Sequence, residues 1–356
     1  MILKKRFSLL LLLVAGALLL SACGGVMTAS SWPGITGNGD VAYVAATTYV
    51  HAIRLSDGSE VWRYPEKAEP NRMFYAAPVL VGDQLIVGDY RNELHSINPD
   101  NGKLNWSFTG AKGKWITSPL ALDTMLLAPC ADHFLYALDL NGNLLWKFET
   151  GEPIWATPTT DGKFVYVASM DHHVYALDPA TGQEQWKTDM GAAIIFTPTL
   201  SEEGILYLAT LAREVLAVRN TGEILWRQSV ENLVWSQPVV RNGSMYFADT
   251  SGKVYSVKTA DGSIQWTQSI GGEAGTAALG VPAVLDDALI YGLENGELVA
   301  ISYSGDRLWT RSVNGTLYSG PVLAGDRLLV GVTQGDRLVV SFDLNGNESW
   351  SFTPAK

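Results

Sequence analysis

Eight of the chain's 12 tryptophans recur at intervals of 40 to 44 residues along almost the whole sequence. Each has a glycine four positions before it and an alanine or serine nine or ten positions before it. Self-similarity at this period predicts a repeat architecture, in which each unit buries its apolar faces against its neighbours. The eight tryptophans are Trp62, Trp106, Trp146, Trp186, Trp226, Trp266, Trp309 and Trp350.

The unit that ends at Trp186 indicates which structure is repeated. Residues 164–168 and 174–177 are β-branched and aromatic runs of strand length, with turn residues on either side. The turn between 178 and 182 ends on Gly182, which is free to take positive φ. With an innermost strand over 155–159 and an outer strand at Trp186, the unit holds four strands, and the 3.6-residue apolar spacing of helical repeats is absent.

The sequence therefore predicts an all-β fold, an eight-bladed β-propeller of four-stranded antiparallel blades over residues 31–356. In each blade we expect the repeated indole to be buried against a neighbouring blade, with the small residue upstream leaving room for it. Seven units also place a proline at the start of the inner strand, where a ladder donor is dispensable. These are Pro78, Pro119, Pro158, Pro198, Pro238, Pro282 and Pro321.

The N-terminus has the features of an export signal. A basic stretch over 4–6 precedes an uncharged apolar run over 7–20, which is short for a membrane span of about 20 residues and typical of a secretory signal. Residues 20–24, Leu-Ser-Ala-Cys-Gly, resemble a bacterial lipobox, which predicts a signal peptide over 1–22, a lipid on Cys23 and a tether over 23–30. The alternative is ordinary signal cleavage with Cys23 as a bystander.

Charge and cysteine content restrict the partners. Of 25 basic residues three are lost with residues 1–22, which leaves 22 against 36 acidic residues and a net charge of −14. Such a body is repelled by nucleic acid, so no nucleic-acid partner is predicted. Cys130 is the only other cysteine, so with Cys23 lipidated no disulfide forms within the mature chain.

The pattern Ala176-x-Asp178-x-x-Thr181-Gly182-x-x-x-Trp186 resembles the tryptophan-docking motif of quinoprotein-type (PQQ-like) propeller repeats. The resemblance extends from about residue 32 to residue 352. WD-type propellers share the period, but no tryptophan here is followed by aspartate. Together with the lipobox and the eight units, the chain resembles lipoproteins of this family that assist outer-membrane protein assembly. The resemblance implies an exported, noncatalytic scaffold for a protein or peptide partner, anchored to the outer membrane or to the outer face of the cytoplasmic membrane.

Aromatic residues recur just before the blade prolines. In propellers this entry to the inner strand and the loop between the second and third strands share one face, so we expect a collar around the channel mouth. Exposed aromatics are enriched at binding hot spots; the alternative is that these rings pack between inner strands. The predicted binding face comprises Phe74, Tyr75, Trp115, Trp155, Phe196, Trp235, Tyr318, Arg91 and Arg213.

The sequence offers few residues that would support catalysis or metal binding. Cys130, His133 and His172 or His173 come from loops of adjacent blades, but their spacing matches no compact metal motif and polar residues are common in turns. The quinoprotein dehydrogenases that the repeat resembles carry an adjacent cysteine pair and calcium ligands, whereas Cys130 stands alone. We therefore predict no enzyme activity, metal or cofactor; the rival interpretation is a periplasmic oxidoreductase or sensor with a quinone-like ligand.

Overall fold

The computed structural model describes residues 33–272 and 275–355, which form eight sheets of four antiparallel strands each. In every sheet the strands are consecutive in sequence. No helix occurs among these residues, and none of their segments could therefore cross a membrane as a helix. The prediction of an all-β, eight-bladed propeller is confirmed. The predicted signal peptide, Cys23 and the tether lie outside the described residues.

Blades 1 to 4 follow one another from the inner to the outer strand. Their strands are β1 (Gly34–Asn38), β2 (Val41–Ala46), β3 (Tyr49–Arg54), β4 (Glu60–Tyr64), β5 (Val79–Val81), β6 (Gln84–Gly88), β7 (Leu94–Ile97), β8 (Leu104–Phe108), β9 (Leu120–Ala121), β10 (Met125–Pro129), β11 (Phe134–Asp139), β12 (Leu144–Glu149), β13 (Thr159–Thr160), β14 (Val165–Ala168), β15 (His173–Leu177) and β16 (Glu184–Asp189).

Blades 5 to 8 repeat this order. Their strands are β17 (Thr199–Leu200), β18 (Ile205–Thr210), β19 (Glu214–Arg219), β20 (Ile224–Ser229), β21 (Val239–Arg241), β22 (Ser244–Ala248), β23 (Lys253–Lys258), β24 (Ile264–Ser269), β25 (Ala283–Val284), β26 (Ala288–Gly292), β27 (Glu297–Ser302), β28 (Arg307–Ser312), β29 (Val322–Ala324), β30 (Arg327–Gly331), β31 (Val339–Asp343) and β32 (Glu348–Phe352).

The strand sequences match their places in a blade. All four residues of β14 are buried, because the second strand is covered by a neighbouring blade on each side. The outer strand β16 alternates between exposed and half-buried residues, as expected of a strand at a sheet edge. A proline directly precedes every inner strand, including Pro33 before β1, which the sequence reasoning did not single out.

The repeated tryptophans join each blade to the next. Each pairs with the small residue predicted beside it, as Trp146 does with Ala137. The Trp146 ring lies on the turn of the following blade, where a Cβ added to Gly182, at a φ of +70°, would lie 2.5 Å from it. The Trp146 indole N–H donates to the Pro179 carbonyl at 3.1 Å. All eight tryptophans are half-buried, so they contact the next blade as expected but are less buried than expected.

The ring closes between blades 8 and 1 by the same contact. Trp350 packs on Gly58 and donates to the Leu55 carbonyl at 2.7 Å. Ile35 of blade 1 shares a buried core with Phe352 of blade 8. Because each sheet consists of consecutive strands, side-chain packing closes the ring and no strand is exchanged between its ends.

Candidate protein-binding face

The loops between second and third strands lie beside the connectors that enter the inner strands. Backbone hydrogen bonds join the two sets from blade to blade, and together they form one face of the ring, which we call the connector face. Among these bonds are Trp115 N to Asp89 O at 3.3 Å, Ala131 N to Lys114 O at 3.1 Å, Met170 N to Pro153 O at 3.1 Å and Leu211 N to Ala193 O at 2.9 Å.

Three of the seven predicted collar aromatics are inside the protein. Phe74, Tyr75 and Trp115 are 0%, 4% and 1% exposed. The Tyr75 ring stacks on Tyr90 with the centroids 4.0 Å apart, and Trp115 packs edge-on against Tyr136 at 5.7 Å. These three residues therefore belong to the packing between blades, which the sequence alone left as the alternative, and form no part of an exposed collar.

The other four collar aromatics keep part of their surface in solvent. They are Trp155, Phe196, Trp235 and Tyr318. Trp235 is 36% exposed and meets Phe196 edge-on with the ring centroids 5.9 Å apart. The indole N–H of Trp155 has no hydrogen-bond acceptor among the described residues. These rings form an interrupted aromatic arc on the connector face.

The two predicted arginines are exposed on the same face. Arg91 forms an ion pair with Glu69 at 2.8 Å between Nη1 and Oε2. Arg213 donates to the Glu231 carbonyl at 3.4 Å.

A cavity of about 440 Å³ opens on the connector face between blades 6, 7 and 8. Its wall is polar and carries a single charged side chain, that of Glu294. Tyr318 of the aromatic arc is part of this wall, so the cavity adjoins the arc at that residue. The lining residues are Thr250, Gly275, Thr276, Ala277, Glu294, Asn295, Thr316, Tyr318 and Gln334.

Aspartates organise several loops of this face. Asp132 accepts a hydrogen bond from the Tyr136 hydroxyl at 2.8 Å, and Asp171 accepts one from Tyr175 at 2.6 Å. Burial acts to raise the pKa of each carboxyl, but hydrogen bonds from backbone N–H groups and from the tyrosine outweigh it and hold the pKa below its usual range. The charged carboxylates thus fix the loops.

This arrangement predicts acid sensitivity. Because the folded-state pKa values of Asp132 and Asp171 are depressed, their contribution to stability is present above the unfolded pKa of about 3.9 and lost as pH falls through the folded pKa. The double variant Asp132→Asn/Asp171→Asn should be less stable at neutral pH and lose less stability below about pH 4. Urea midpoints over a pH series measure this. Parallel pH profiles for variant and wild type would contradict it.

A buried charge cluster joins blades 1 and 2 beneath this face. The Arg72 guanidinium is 6% exposed and bonds to Asp89 at 3.1 Å, Glu69 at 2.7 Å and Glu93 at 2.8 Å. His95, 1% exposed at the side chain, lies 3.0 Å from the same Asp89 oxygen. Sequence reasoning missed this cluster.

A signal for the cluster was present in the repeat. Where β11, β15 and β23 each carry the tyrosine that reaches the loop aspartate, β7 carries His95. An imidazole in place of a phenol indicates that the neighbouring loop is organised differently. The arginine that completes the cluster comes from an irregular connector, whose course the repeat does not predict.

Metal-binding potential is confined to this cluster among the described residues. Asp89, Glu93 and His95 bring one ligand atom each within 4.8 Å of one another. Arg72 already bonds to both carboxylates and supplies a positive charge there. The candidate group of Cys130, His133 and His172 or His173 is not brought together among the described residues. Burial raises the pKa of the Cys130 thiol to about 12, which leaves it protonated at neutral pH.

The fold and its docking contacts define a class of protein, the eight-bladed propeller of quinoprotein-type repeats with a broad connector face. A family model described as "Outer membrane protein assembly factor BamB" matches residues 46–170 and 170–355. The chain belongs to this family.

Individual relatives are distant. BamB of Legionella pneumophila (strain Paris) is 33% identical over 81 residues, which is 22% of this chain and about a fifth (20%) of that relative's length. The crystal structure of BamB from Moraxella catarrhalis matches with a TM-score of 0.73 at 17% identity, over 87% of this chain and 96% of that one. The computationally designed Ika8 protein matches with a TM-score of 0.74 at 14% identity, over 88% and 96%. At these identities the structural likeness establishes the fold.

Proposed function

We propose that this protein is a noncatalytic binding scaffold on the extracytoplasmic side of an envelope membrane, where it assists the assembly of outer-membrane proteins. A lipid on Cys23 holds it to the membrane, and its partner is a protein or peptide. Family membership supports the assembly role. The observation that carries the binding role is the aromatic arc of Trp155, Phe196, Trp235 and Tyr318 on the connector face.

The arc has the physical properties of a protein-binding surface. Large amphipathic rings contribute apolar contact area with little loss of side-chain freedom, and they dominate binding energy in most interfaces. Loops on a rigid frame are the usual place for such surfaces.

A noncatalytic role is supported by the state of the most obvious nucleophile. Cys130 is 0% exposed and its thiol donates to the Gly113 carbonyl at 3.2 Å. A buried, protonated thiol neither attacks a substrate nor ligates a metal. The sequence also lacks the adjacent cysteine pair of the quinoprotein dehydrogenases.

The partner surface is tested with the triple variant Trp155→Ser/Phe196→Ser/Trp235→Ser in the full-length, membrane-anchored protein. We expect partner recovery from solubilised envelopes, quantified by mass spectrometry, to fall at least tenfold, since each aromatic hot spot contributes about 2 kcal/mol or more and about 1.4 kcal/mol corresponds to a tenfold change in affinity. The matched control, Leu104→Ser/Leu145→Ser, changes exposed apolar residues of outer strands (48% and 50% exposed) and should leave recovery unchanged.

Circular dichroism establishes that both variants are folded. A folded triple variant that recovers every partner at the wild-type yield would place the binding surface elsewhere on the propeller. A loss in the outer-strand control alone would move it to the sides of blades 2 and 3.

A further inference from the structure

One loop position on the connector face is charged in blade 7 and uncharged in blades 2 to 6. In each of these six blades, one residue of the loop between the second and third strands donates its backbone N–H to a carbonyl of the connector that enters the blade. Glu294 donates in this way to Ala277 at 2.9 Å. The equivalent residues of the other five blades are Tyr90, Ala131, Met170, Leu211 and Thr250. The loop therefore forms without a carboxylate at this position.

The Glu294 carboxylate also lacks the internal partner that other loop acids have. Asp249 of blade 6 accepts a hydrogen bond from the Tyr255 hydroxyl at 3.0 Å, and the loop aspartates of blades 3 and 4 are bonded in the same way. The corresponding residue of β27 in blade 7 is Val299, which has no hydroxyl. Among the described residues, no hydrogen bond or ion pair engages the Glu294 side chain.

Glu294 lies in the wall of the cavity between blades 6, 7 and 8. The cavity measures about 440 Å³, which is within the range of sites that enclose a ligand group. No other charged residue lines it among those that the structure describes. Thr250, Thr276 and Thr316 contribute hydroxyls, and Tyr318 contributes an aromatic ring. The wall thus combines one carboxylate with neutral hydrogen-bonding groups and one ring.

Hydrogen bonds hold the wall in place in the free protein. Thr316 and Thr333 exchange two backbone bonds, at 2.7 and 2.9 Å. The Asn295 side-chain oxygen accepts from the backbone N–H of Glu297 at 3.1 Å. A wall that is already ordered loses little freedom when a ligand enters, which favours binding.

The charged groups around the cavity leave Glu294 without a cation. Lys253, which follows the loop of blade 6, bonds to Glu231 at 2.6 Å, and Arg337 in the loop of blade 8 bonds to Glu348 at 2.6 Å. Residues 270–272, 275–282 and 313–321 of the two adjoining connectors include no charged residue. The other charged residues in or directly after the three loops are all acidic, namely Asp249, Glu294, Glu297 and Asp336.

A ligand that fills this cavity displaces water from the Glu294 carboxylate. Removing water from a carboxylate is costly unless an opposite charge and N–H donors replace it. A guanidinium group meets this need, since it bonds to a carboxylate through two parallel N–H groups and stacks on aromatic rings. The ring of Tyr318 lies in the same wall, and the threonine hydroxyls accept further N–H bonds.

We propose that the cavity receives an arginine side chain of the partner protein, with its guanidinium paired to Glu294 and stacked on Tyr318. This rests on the proposed function, because it assigns one contact of a partner that binds the connector face. The partner then presents an arginine beside the apolar surface that covers the aromatic arc.

The test compares two peptides, acetyl-Gly-Arg-Gly-amide and the same peptide with citrulline, which has the shape of arginine without its charge. Binding to the immobilised full-length protein is measured by surface plasmon resonance at low ionic strength. The arginine peptide should bind about tenfold more tightly than the citrulline peptide. Glu294→Gln should weaken the arginine peptide about tenfold, or about 1.4 kcal/mol, and leave the citrulline peptide unchanged. Tyr318→Leu should weaken the arginine peptide about threefold.

Glu202→Gln is the matched control. It removes an equal, exposed charge from the turn between β17 and β18, away from the connector face, and should bind both peptides like wild type. The urea midpoint of Glu294→Gln should equal that of wild type, because five blades form the same loop with uncharged residues. Equal affinity of wild type for the two peptides, an arginine peptide without saturable binding, or wild-type affinity in Glu294→Gln would overturn the proposal.

Partner recovery from envelopes separates this proposal from the broader one. If the triple aromatic variant loses the partner while Glu294→Gln recovers it fully, the arginine contact is wrong and the binding face stands. If Glu294→Gln loses the partner and the triple variant does not, the cavity stands and the aromatic arc is not the binding surface. If both variants recover every partner, both proposals fail.

Discussion

Replacement of Trp115 by alanine should lower the free energy of unfolding by about 3–5 kcal/mol, the range for large aromatic side chains in well-packed cores. The ring is 1% exposed and lies against Gly88, where an added Cβ would be 2.6 Å from the ring atom Cγ. Phe108 and Tyr136 meet it edge-on. Its removal leaves a cavity between blades 2 and 3 that the sheets are too rigid to close.

The matched comparisons are Trp115→Phe and Trp235→Ala. The indole N–H of Trp115 has no acceptor among the described residues, so phenylalanine, which lacks that donor, should cost about half as much as alanine or less. Trp235 is 36% exposed, and its truncation should cost about 2 kcal/mol, because part of its apolar surface is in solvent in the folded protein already. Trp186→Ala, at a half-buried docking position, should lie between them. Equal losses of unfolding free energy at Trp115 and Trp235 in urea titrations would show that exposure does not determine the cost of truncating these aromatic residues.

Arg72→Met should destabilise the protein by about 3–5 kcal/mol, because it leaves the buried Asp89 carboxylate without its cation. Asp89 is 0% exposed and receives bonds from Arg72 and His95 on one oxygen. Burial acts to raise the pKa of Asp89, but the bonds from His95 and the backbone, with the neighbouring positive charge, hold it below its usual value.

The pH dependence of this loss has a definite sign. With a depressed folded-state pKa, Asp89 stabilises the wild type above about pH 4 and ceases to do so as it is protonated at lower pH. The deficit of the Arg72→Met variant should therefore shrink below about pH 4. Arg219→Met is the control, since it breaks an exposed ion pair with Glu223 at 3.1 Å and should cost about 1 kcal/mol or less. Comparable losses for the two arginines would contradict the role assigned to the buried cluster.

The blade architecture was predictable because its determinants are local and repeated eight times. Glycine at a positive-φ turn, the small residue opposite the indole and the alternation in the strands all act within one 40-residue unit. The structure adds that each Trp docks on the following blade, so that Gly182 packs with Trp146 rather than with Trp186 of its own unit.

The exposed part of the connector face was less predictable, because side-chain direction in these irregular segments follows from the distance to the proline and not from a strand or helix period. Trp115 lies four residues before its blade proline, whereas Trp155 lies three residues before its own. The residue four before the proline is buried in all seven units, while Trp155 and Trp235, three before it, keep part of their surface in solvent. The Arg72 cluster was missed for a similar reason: its members lie on a connector, a loop and a strand, and no spacing along the chain links them.

The seam between blades 8 and 1 allows any blade to come first in the order of the chain. Since every sheet is built from one uninterrupted stretch of chain and Trp350 meets Gly58 as Trp146 meets Gly182, the seam is chemically one more interblade joint. If residue 355 were linked to residue 33 and the chain were cut in another connector, all eight sheets would stay intact. Only the position of the interblade joint without a covalent connection would change. The ring can therefore begin at any blade, and a whole blade can be duplicated or deleted without dividing a sheet.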